Sequence, residues 1–253
     1  MKYLYVIIAI LLIFMIYKKE PFNVCHIRYE TFVINLDRNP ERLSLINKYC
    51  KDANLKYKRW NAIDGSKLNM DKLVIDGMIK PNSKMMIGAI GCSLSHINLW
   101  KNNINENNLL VLEDDVIIPI DFKSKFNKYL NQLPEDWDIL YLGSSNIYGK
   151  KISENLLKPV DVTDSKATYN TGTYAMLINK SFVKKLISVN IPIRDNIDQT
   201  IKNNLFKCSN IFICNPPLII HDNNLPSMRR VISNKTPSTK WFSHVQDKII
   251  IVD

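Results

Sequence analysis

The stretch Leu109-Leu110-Val111-Leu112-Glu113-Asp114-Asp115 decides the fold of this 253-residue chain. Its four successive aliphatic residues are typical of a buried strand, because the run is too short and too uniformly apolar for an amphipathic helix. Three carboxylates follow at the end of that strand, where ligands of open α/β sheets bind. Since a bound cation relieves the repulsion among clustered carboxylates, the stretch predicts a divalent-ion site with Asp115 as a ligand. A solvated acidic turn is the alternative.

Predicted strands and helices alternate along the rest of the chain. The strands are expected at residues 29–36, 56–62, 137–142, 173–179 and 210–214. The helices are expected at residues 40–50, 88–101, 122–130, 181–188 and 196–205. This alternation predicts an α/β fold with a mixed, mostly parallel sheet and helices on both faces. Residues 144–166 have no clear pattern, and we expect a long loop over the site there.

Composition and motifs exclude several classes of protein. The first strand is not followed by Gly-x-Gly-x-x-Gly, and no Gly-Lys-Ser phosphate loop is present, which disfavours a dinucleotide dehydrogenase or a P-loop nucleotidase. The net charge of +10 is carried mostly by scattered lysines. Because no compact basic block with aromatic residues appears, we expect no nucleic-acid partner. A phosphorylated substrate or an anionic membrane surface remains compatible with this charge.

The N-terminus carries a separate signal. Residues 3–17 are apolar or aromatic throughout, and Lys18-Lys19 follows them. Although the run is shorter than the roughly 20 residues that span a bilayer, no small-residue cleavage site follows it. We therefore expect residues 1–20 to be an uncleaved, single-pass membrane anchor, with a cleaved signal as the alternative. The flanking lysines nearly balance and leave the orientation open. Residues 21–30 are expected to be a linker, and residues 31–253 the folded domain.

The five cysteines include no Cys-x-x-Cys pair of the kind that holds zinc. Cys208 and Cys214 are close enough in sequence to bridge a short loop in an oxidising compartment.

Several segments together resemble glycosyltransferase family 25, the lipooligosaccharide and procollagen galactosyltransferases. The resemblance extends over about residues 31–230, and its strength lies in the order and spacing of weak individual motifs. The segments are Val33-Ile34-Asn35-Leu36-Asp37-Arg38 with Arg42, Ala62-Ile63-Asp64-Gly65, Gly88-Ala89-Ile90-Gly91-Cys92-Ser93-Leu94-Ser95-His96, Val111-Leu112-Glu113-Asp114-Asp115-Val116, Trp137-Asp138-Ile139-Leu140-Tyr141-Leu142-Gly143 and Gly172-Thr173-Tyr174-Ala175.

The resemblance implies a GT-A type fold, a nucleotide-sugar donor such as UDP-galactose, a divalent cation such as Mn²⁺, and inversion at the anomeric carbon. The residues expected to contact the donor are Asn35, Leu36, Asp37, Arg38, Arg42, Ala62, Asp64, Glu113 and Asp114. Arg38 and Arg42 are one helical turn apart and suited to phosphate, or they are surface arginines. Asp115 and Asp114 are the expected metal ligands.

His221 stands where many relatives have glutamine. It follows an apolar, strand-like run and is therefore expected to face the same crevice as Asp115. Imidazole is a suitable third ligand for Mn²⁺. A structural histidine at the end of a strand is the alternative.

An inverting transfer needs a base to deprotonate the acceptor hydroxyl. The candidates are Asp198, which aligns with an acidic residue of the family, Asp195 and His96. Alternatively, Asp195 is a helix N-cap with Asp198 in its capping box, and His96 is a hydrogen-bonded structural residue.

We therefore expect a membrane-associated, metal-dependent hexosyltransferase that acts on a glycan or protein hydroxyl, for example in lipopolysaccharide biosynthesis. One alternative is a catalytically inactive glycosyltransferase-like module that binds sugar or serves as a scaffold. Another is a metal-dependent phosphoesterase, which the four dispersed histidines disfavour.

Overall fold

A computed structural model describes residues 27–104, 107–160, 169–222, 224–225 and 249–252. The predicted anchor and most of the predicted linker lie outside these residues. Within the described ranges, no helix has the length and apolar character needed to cross a membrane.

The described residues form eleven strands and six α-helices. The strands are β1 Tyr29–Asn35, β2 Lys58–Asn61, β3 Asn108–Glu113, β4 Val116–Ile117, β5 Ile139–Tyr141, β6 Tyr148–Lys151, β7 Leu156–Pro159, β8 Ala175–Ile178, β9 Ile211–Cys214, β10 Ile220–His221 and β11 Ile250–Val252. The helices are α1 Pro40–Asp52, α2 Met70–Ile75, α3 Ile87–Asn102, α4 Phe122–Leu130, α5 Val183–Asn190 and α6 Ile197–Leu205. Two 3₁₀ turns occupy Gly65–Lys67 and Lys180–Phe182.

Nine of the described strands form one mixed sheet in the order β11-β6-β7-β9-β5-β8-β3-β1-β2. The strand β1 is parallel to both β2 and β3, whereas β8 lies antiparallel between β3 and β5. The remaining pairs give the directions of the other strands of this sheet. Seven of its strands run in one direction, and β7 and β8 run in the opposite direction. The predicted mixed, mostly parallel sheet is therefore confirmed. A separate two-stranded sheet pairs β4 with β10.

Helices cover both faces of the large sheet, as predicted. Alternate residues of β3 belong to different cores: Leu109 and Val111 pack with α3, α5 and α6, whereas Leu110 and Leu112 pack with α1 and α4. All four are fully buried. This arrangement explains why residues 109–112 of β3 are all apolar, because a strand covered on both faces has no solvent side.

The start of α1 follows directly from its sequence. Asn39 is the N-cap and Pro40 occupies the first helical turn, where a missing N–H costs nothing. The short β1–α1 connection therefore turns α1 back over the sheet edge and places Arg42 in its first turn.

The predicted loop at residues 144–166 is wrong in part, because β6 and β7 form an antiparallel hairpin there. These strands are short and carry several polar residues, so their sequence lacks the apolar pattern by which β3 is recognised. The helix predicted from Ser181 begins at Val183 instead, after a 3₁₀ turn in which Asn179 accepts a hydrogen bond from the Ser181 N–H.

The Cys208–Cys214 bridge is not formed. The thiol of Cys214 is buried within β9, which raises its pKa, whereas Cys208 is exposed and its Sγ lies 3.2 Å from the carbonyl oxygen of Asn204. The two side chains thus have different surroundings despite their proximity in sequence.

Candidate functional site

The carboxyl ends of β1 and β3 meet at one edge of the sheet. Their parallel register pairs Ile34 with Glu113, so that Asn35 and Asp114 follow side by side. The Asn35 side-chain amide donates a 2.6 Å hydrogen bond to Asp114 Oδ2 and a 3.2 Å bond to the Asn39 carbonyl. The predicted donor-binding strand and the acidic stretch are therefore in direct contact.

Arg42 is the buried counter-charge of the acidic stretch. Its guanidinium is 2.9 Å from Asp114 Oδ1 and 3.3 Å from Asp115 Oδ2, and its side chain is only 5% exposed. Burial and the neighbouring charge of Asp115 nevertheless raise the pKa of Asp114 above its ordinary value. Both oxygens of Asp114 thus accept hydrogen bonds from protein donors, whereas Asp115 Oδ2 contacts both Arg42 and a further residue.

That further residue is His221. The short sheet of β4 and β10 pairs Val116 with His221, and the Asp222 N–H donates to the Asp115 carbonyl at 2.7 Å. As a result, His221 Nε2 lies 3.3 Å from Asp115 Oδ2. The structure therefore brings together the predicted ligand pair of Asp115 and His221. The ring of Tyr174 packs edge-on against the imidazole, with centroids 5.8 Å apart.

Glu113 points to the opposite face of the sheet. Its Oε1 accepts a 2.8 Å bond from the Thr173 hydroxyl and lies 3.2 Å from Nε2 of His96. His96 has no exposed surface, so it contacts Glu113 from within the core between α3 and the sheet.

Two further ion pairs surround the end of β1. Asp37 contacts Arg59 at 2.6 Å and Asn61 at 2.8 Å, and these hydrogen bonds lower its pKa. Arg38 contacts Asp64. Burial acts to raise the pKa of Asp64, but hydrogen bonds from Ser66 and Arg38 hold it below the ordinary value.

Arg59 is a residue of this edge that sequence reasoning missed. It donates to Asn35 Oδ1 at 3.0 Å as well as to Asp37. The available signal was its position in β2, a parallel neighbour of β1. Leu36 and Ala62 contribute backbone hydrogen bonds to this sheet edge. The Ala62 N–H donates to the Asn35 carbonyl, and the Leu36 carbonyl accepts from the Asn39 N–H.

Asp198 and Asp195 occupy different environments. Asp198 is 8% exposed, and its two oxygens accept the backbone N–H groups of Gly172 and Gln199. Because Gly172 adjoins the residue that binds Glu113, Asp198 is connected to the acidic stretch through one loop. Asp195 is exposed and accepts the N–H of Asn196, which is the N-cap of α6. Asp195 therefore does not hold the N-cap position considered for it.

Comparisons with known proteins place this α/β chain among the glycosyltransferases. The model of glycosyltransferase family 25, described as an LPS biosynthesis protein family, matches residues 28–201. The chain belongs to glycosyltransferase family 25.

Similar proteins include human procollagen galactosyltransferase 2, which is 28% identical over 174 residues covering 64% of this chain and 28% of the relative. A glycosyltransferase 25 family member of Aedes aegypti is 32% identical over 187 residues, 67% of this chain and 29% of the relative. The chain thus spans less than a third of the length of these relatives.

Among solved structures, a glycosyltransferase involved in glycosylation of the major capsid of PBCV-1 aligns with a TM-score of 0.41 and 8% identity, covering 73% of this chain and 80% of that one.

The buried ion pairs of Arg42 predict a pH-dependent stability defect. Arg42→Met leaves Asp114 and Asp115 without their counter-charge and is expected to cost about 3–5 kcal/mol at pH 7. The variant also loses the contacts that lower the pKa of Asp114, so this pKa rises further. Protonation of Asp114 then stabilises the folded state as the pH falls through the pKa that Asp114 has in that state. The loss of stability caused by Arg42→Met is therefore smaller at pH 5 than at pH 7. Urea unfolding at both pH values measures the difference.

Arg38→Met is the matched control, because Arg38 is 36% exposed in its pair with Asp64. Its expected cost is below about 1 kcal/mol. Equal defects in the two variants, or a defect of Arg42→Met that grows towards pH 5, would contradict the assignment of Arg42 as the buried counter-charge.

Proposed function

We propose that this protein is a GT-A type galactosyltransferase that uses UDP-galactose and Mn²⁺. In this proposal, the hexose is transferred to a hydroxyl of a glycan or a protein with inversion at the anomeric carbon. The observation that carries the proposal is the convergence of Asp115, His221 and Arg42 at the sheet edge, in a chain of glycosyltransferase family 25.

The donor atoms at this edge fit a divalent ion. Asp115 offers a carboxylate oxygen and His221 an imidazole nitrogen, both of which are ligand types for Mn²⁺. Asp114 is engaged by Asn35 and Arg42, so we assign it mainly to holding the acidic stretch in place rather than to ligation. When bound, the ion would stabilise the negative charge that develops on the leaving diphosphate.

The residues around the end of β1 are suited to the nucleotide part of the donor. Asn35, Asp37 and Asp64 are each held by a hydrogen bond from an arginine. Such fixed side chains lose little conformational freedom when a ligand binds, which favours binding. We place the nucleotide beside them and the diphosphate towards Asp115.

We assign Asp198 as the base that takes the proton of the acceptor hydroxyl. The oxygen of the acceptor forms a bond to the anomeric carbon as the bond to the diphosphate breaks, and its proton passes to the carboxylate. The loop of Gly172 and Thr173 connects Asp198 with Glu113, so the carboxylate is held at the same sheet edge.

Asp115→Asn tests the metal assignment. The variant is expected to lose at least about a hundredfold in transfer rate, because direct stabilisation of the diphosphate is worth several kcal/mol. Its fold should persist, since Arg42 keeps its contact with Asp114. Transfer is measured at limiting and saturating Mn²⁺, and thermal unfolding reports the fold.

Asp121→Asn is the control, because Asp121 forms an exposed pair with Lys125 on α4 and its loss should leave transfer unchanged. Full activity of folded Asp115→Asn at limiting Mn²⁺ would refute the metal site.

Asp198→Asn tests the base. Transfer should collapse while metal-dependent binding of the donor persists, because the proposed donor contacts lie around the ends of β1, β2 and β3. Turnover, donor affinity and melting temperature are measured on one preparation. Asp195→Asn is the matched control at an exposed position three residues away. If turnover of Asp198→Asn is unchanged and stability falls by about 1 kcal/mol, Asp198 is a structural residue and the base lies elsewhere.

Membrane association is part of the proposal and rests on the apolar residues 3–17. The described fold begins its first strand at Tyr29, after that run. Deletion of residues 1–22 should therefore release the protein from the membrane fraction with its transferase activity intact. Loss of folding on deletion would instead indicate that the N-terminal run packs within the domain.

A further inference from the structure

A group of metal-binding side chains lies between α3 and the end of β3, away from Asp115. Cys92, His96 and Glu113 each present one ligand atom, and these atoms all lie within 4.8 Å of one another. Cys92 and His96 are one helical turn apart, so their side chains share one side of α3. His96 is fully buried, whereas Cys92 and Glu113 are partly exposed and leave an approach from solvent.

We propose that Cys92, His96 and Glu113 bind a zinc-class ion at a second metal site. A thiolate, an imidazole and a carboxylate are ligands that zinc accepts together, whereas the hard ions Mg²⁺ and Mn²⁺ prefer oxygen and do not select sulfur. The carboxylate and imidazole of the Asp115–His221 pair lack a thiolate. The two groups therefore differ in the ion that they favour.

One of the three separations already matches tetrahedral coordination. Ligand atoms at zinc distances are about 3.3–3.6 Å apart. His96 Nε2 and Glu113 Oε1 are already 3.2 Å apart. Cys92 Sγ lies within 4.8 Å of the other two ligand atoms, and binding of an ion would draw it closer to them. The Thr173 hydroxyl donates to Glu113 and supplies the outer hydrogen bond that usually orients a ligating carboxylate.

The second site is separate from the proposed Mn²⁺ site. Successive residues of a strand point to opposite faces, and Glu113 contacts α3 whereas Asp114 contacts α1. Three protein ligands leave a fourth position for water. An ion there would join α3 to the end of β3 directly before Asp114, and thereby stabilise the acidic stretch. This inference does not rest on the transferase activity.

The test is binding of Zn²⁺ and Co²⁺ to the full chain after removal of metals under reducing conditions. Equilibrium dialysis should give one zinc per chain at this site, and Co²⁺ should produce a thiolate-to-metal charge-transfer band. Cys92→Ser should abolish the band and weaken zinc binding at least tenfold, and Glu113→Gln should weaken zinc binding similarly. Zinc should raise the melting temperature of the wild type but not of Cys92→Ser.

Two variants serve as controls. Cys208→Ser removes the exposed thiol and should leave the band unchanged, as should Asp115→Asn, which alters the other site. If wild-type protein binds Co²⁺ without a thiolate band, or if Cys92→Ser binds zinc as the wild type does, the second site is refuted. The wild-type cobalt spectrum decides the question even if a variant fails to fold.

Discussion

The interaction on which the rest of the site depends is the contact of buried Arg42 with Asp114 and Asp115. Two adjacent carboxylates at the edge of a sheet repel each other and lose hydration as they are covered. A guanidinium in the first turn of α1 offsets both effects, and Asn35 supplies a further donor. The end of β3 can therefore hold two adjacent carboxyl groups beneath the cover of α1. Because α1 directly follows β1, its first turn places Arg42 beside the carboxylates at the end of β3.

Three connections converge on the acidic stretch and together bring a protein partner to each of its carboxylates. The β1–α1 connection holds Asp114, the β4–β10 pairing brings His221 to Asp115, and the loop before β8 holds Glu113 through Thr173. Because consecutive side chains of a strand end point in different directions, one short sequence serves separate environments on two faces of the sheet. This division explains how a single acidic motif can combine a structural role with the ligand-binding role proposed for it.

Much of this arrangement could be predicted from the sequence. The strand at residues 109–112 and helices α1, α3 and α4 are marked by apolar runs, helical spacing or proline at a helix start, all of which are local signals. The expectation that His221 faces Asp115 is likewise confirmed. Arg59 was missed because its role depends on the parallel register of β1 and β2, which local sequence does not reveal.

The pairing of His96 with Glu113 was not predicted for a similar reason: it joins a helix and a strand through tertiary packing. The β6–β7 hairpin escaped prediction because its short, partly polar strands depend on their neighbours for stability. The bridge between Cys208 and Cys214 was inferred from proximity in sequence alone. That proximity does not determine side-chain direction, and β9 buries only Cys214.

The most direct test of the central claim, that this sheet edge transfers a hexose from a nucleotide-sugar, is nucleotide release across a panel of donors. Each donor is incubated with the protein and an acceptor glycan or peptide, with and without Mn²⁺. Mn²⁺-dependent release of UDP from UDP-galactose is expected, and it should be faster with a suitable acceptor than without one. Binding of nucleotide-sugars without release from any donor, with or without Mn²⁺, would contradict the account and support a non-catalytic sugar-binding module.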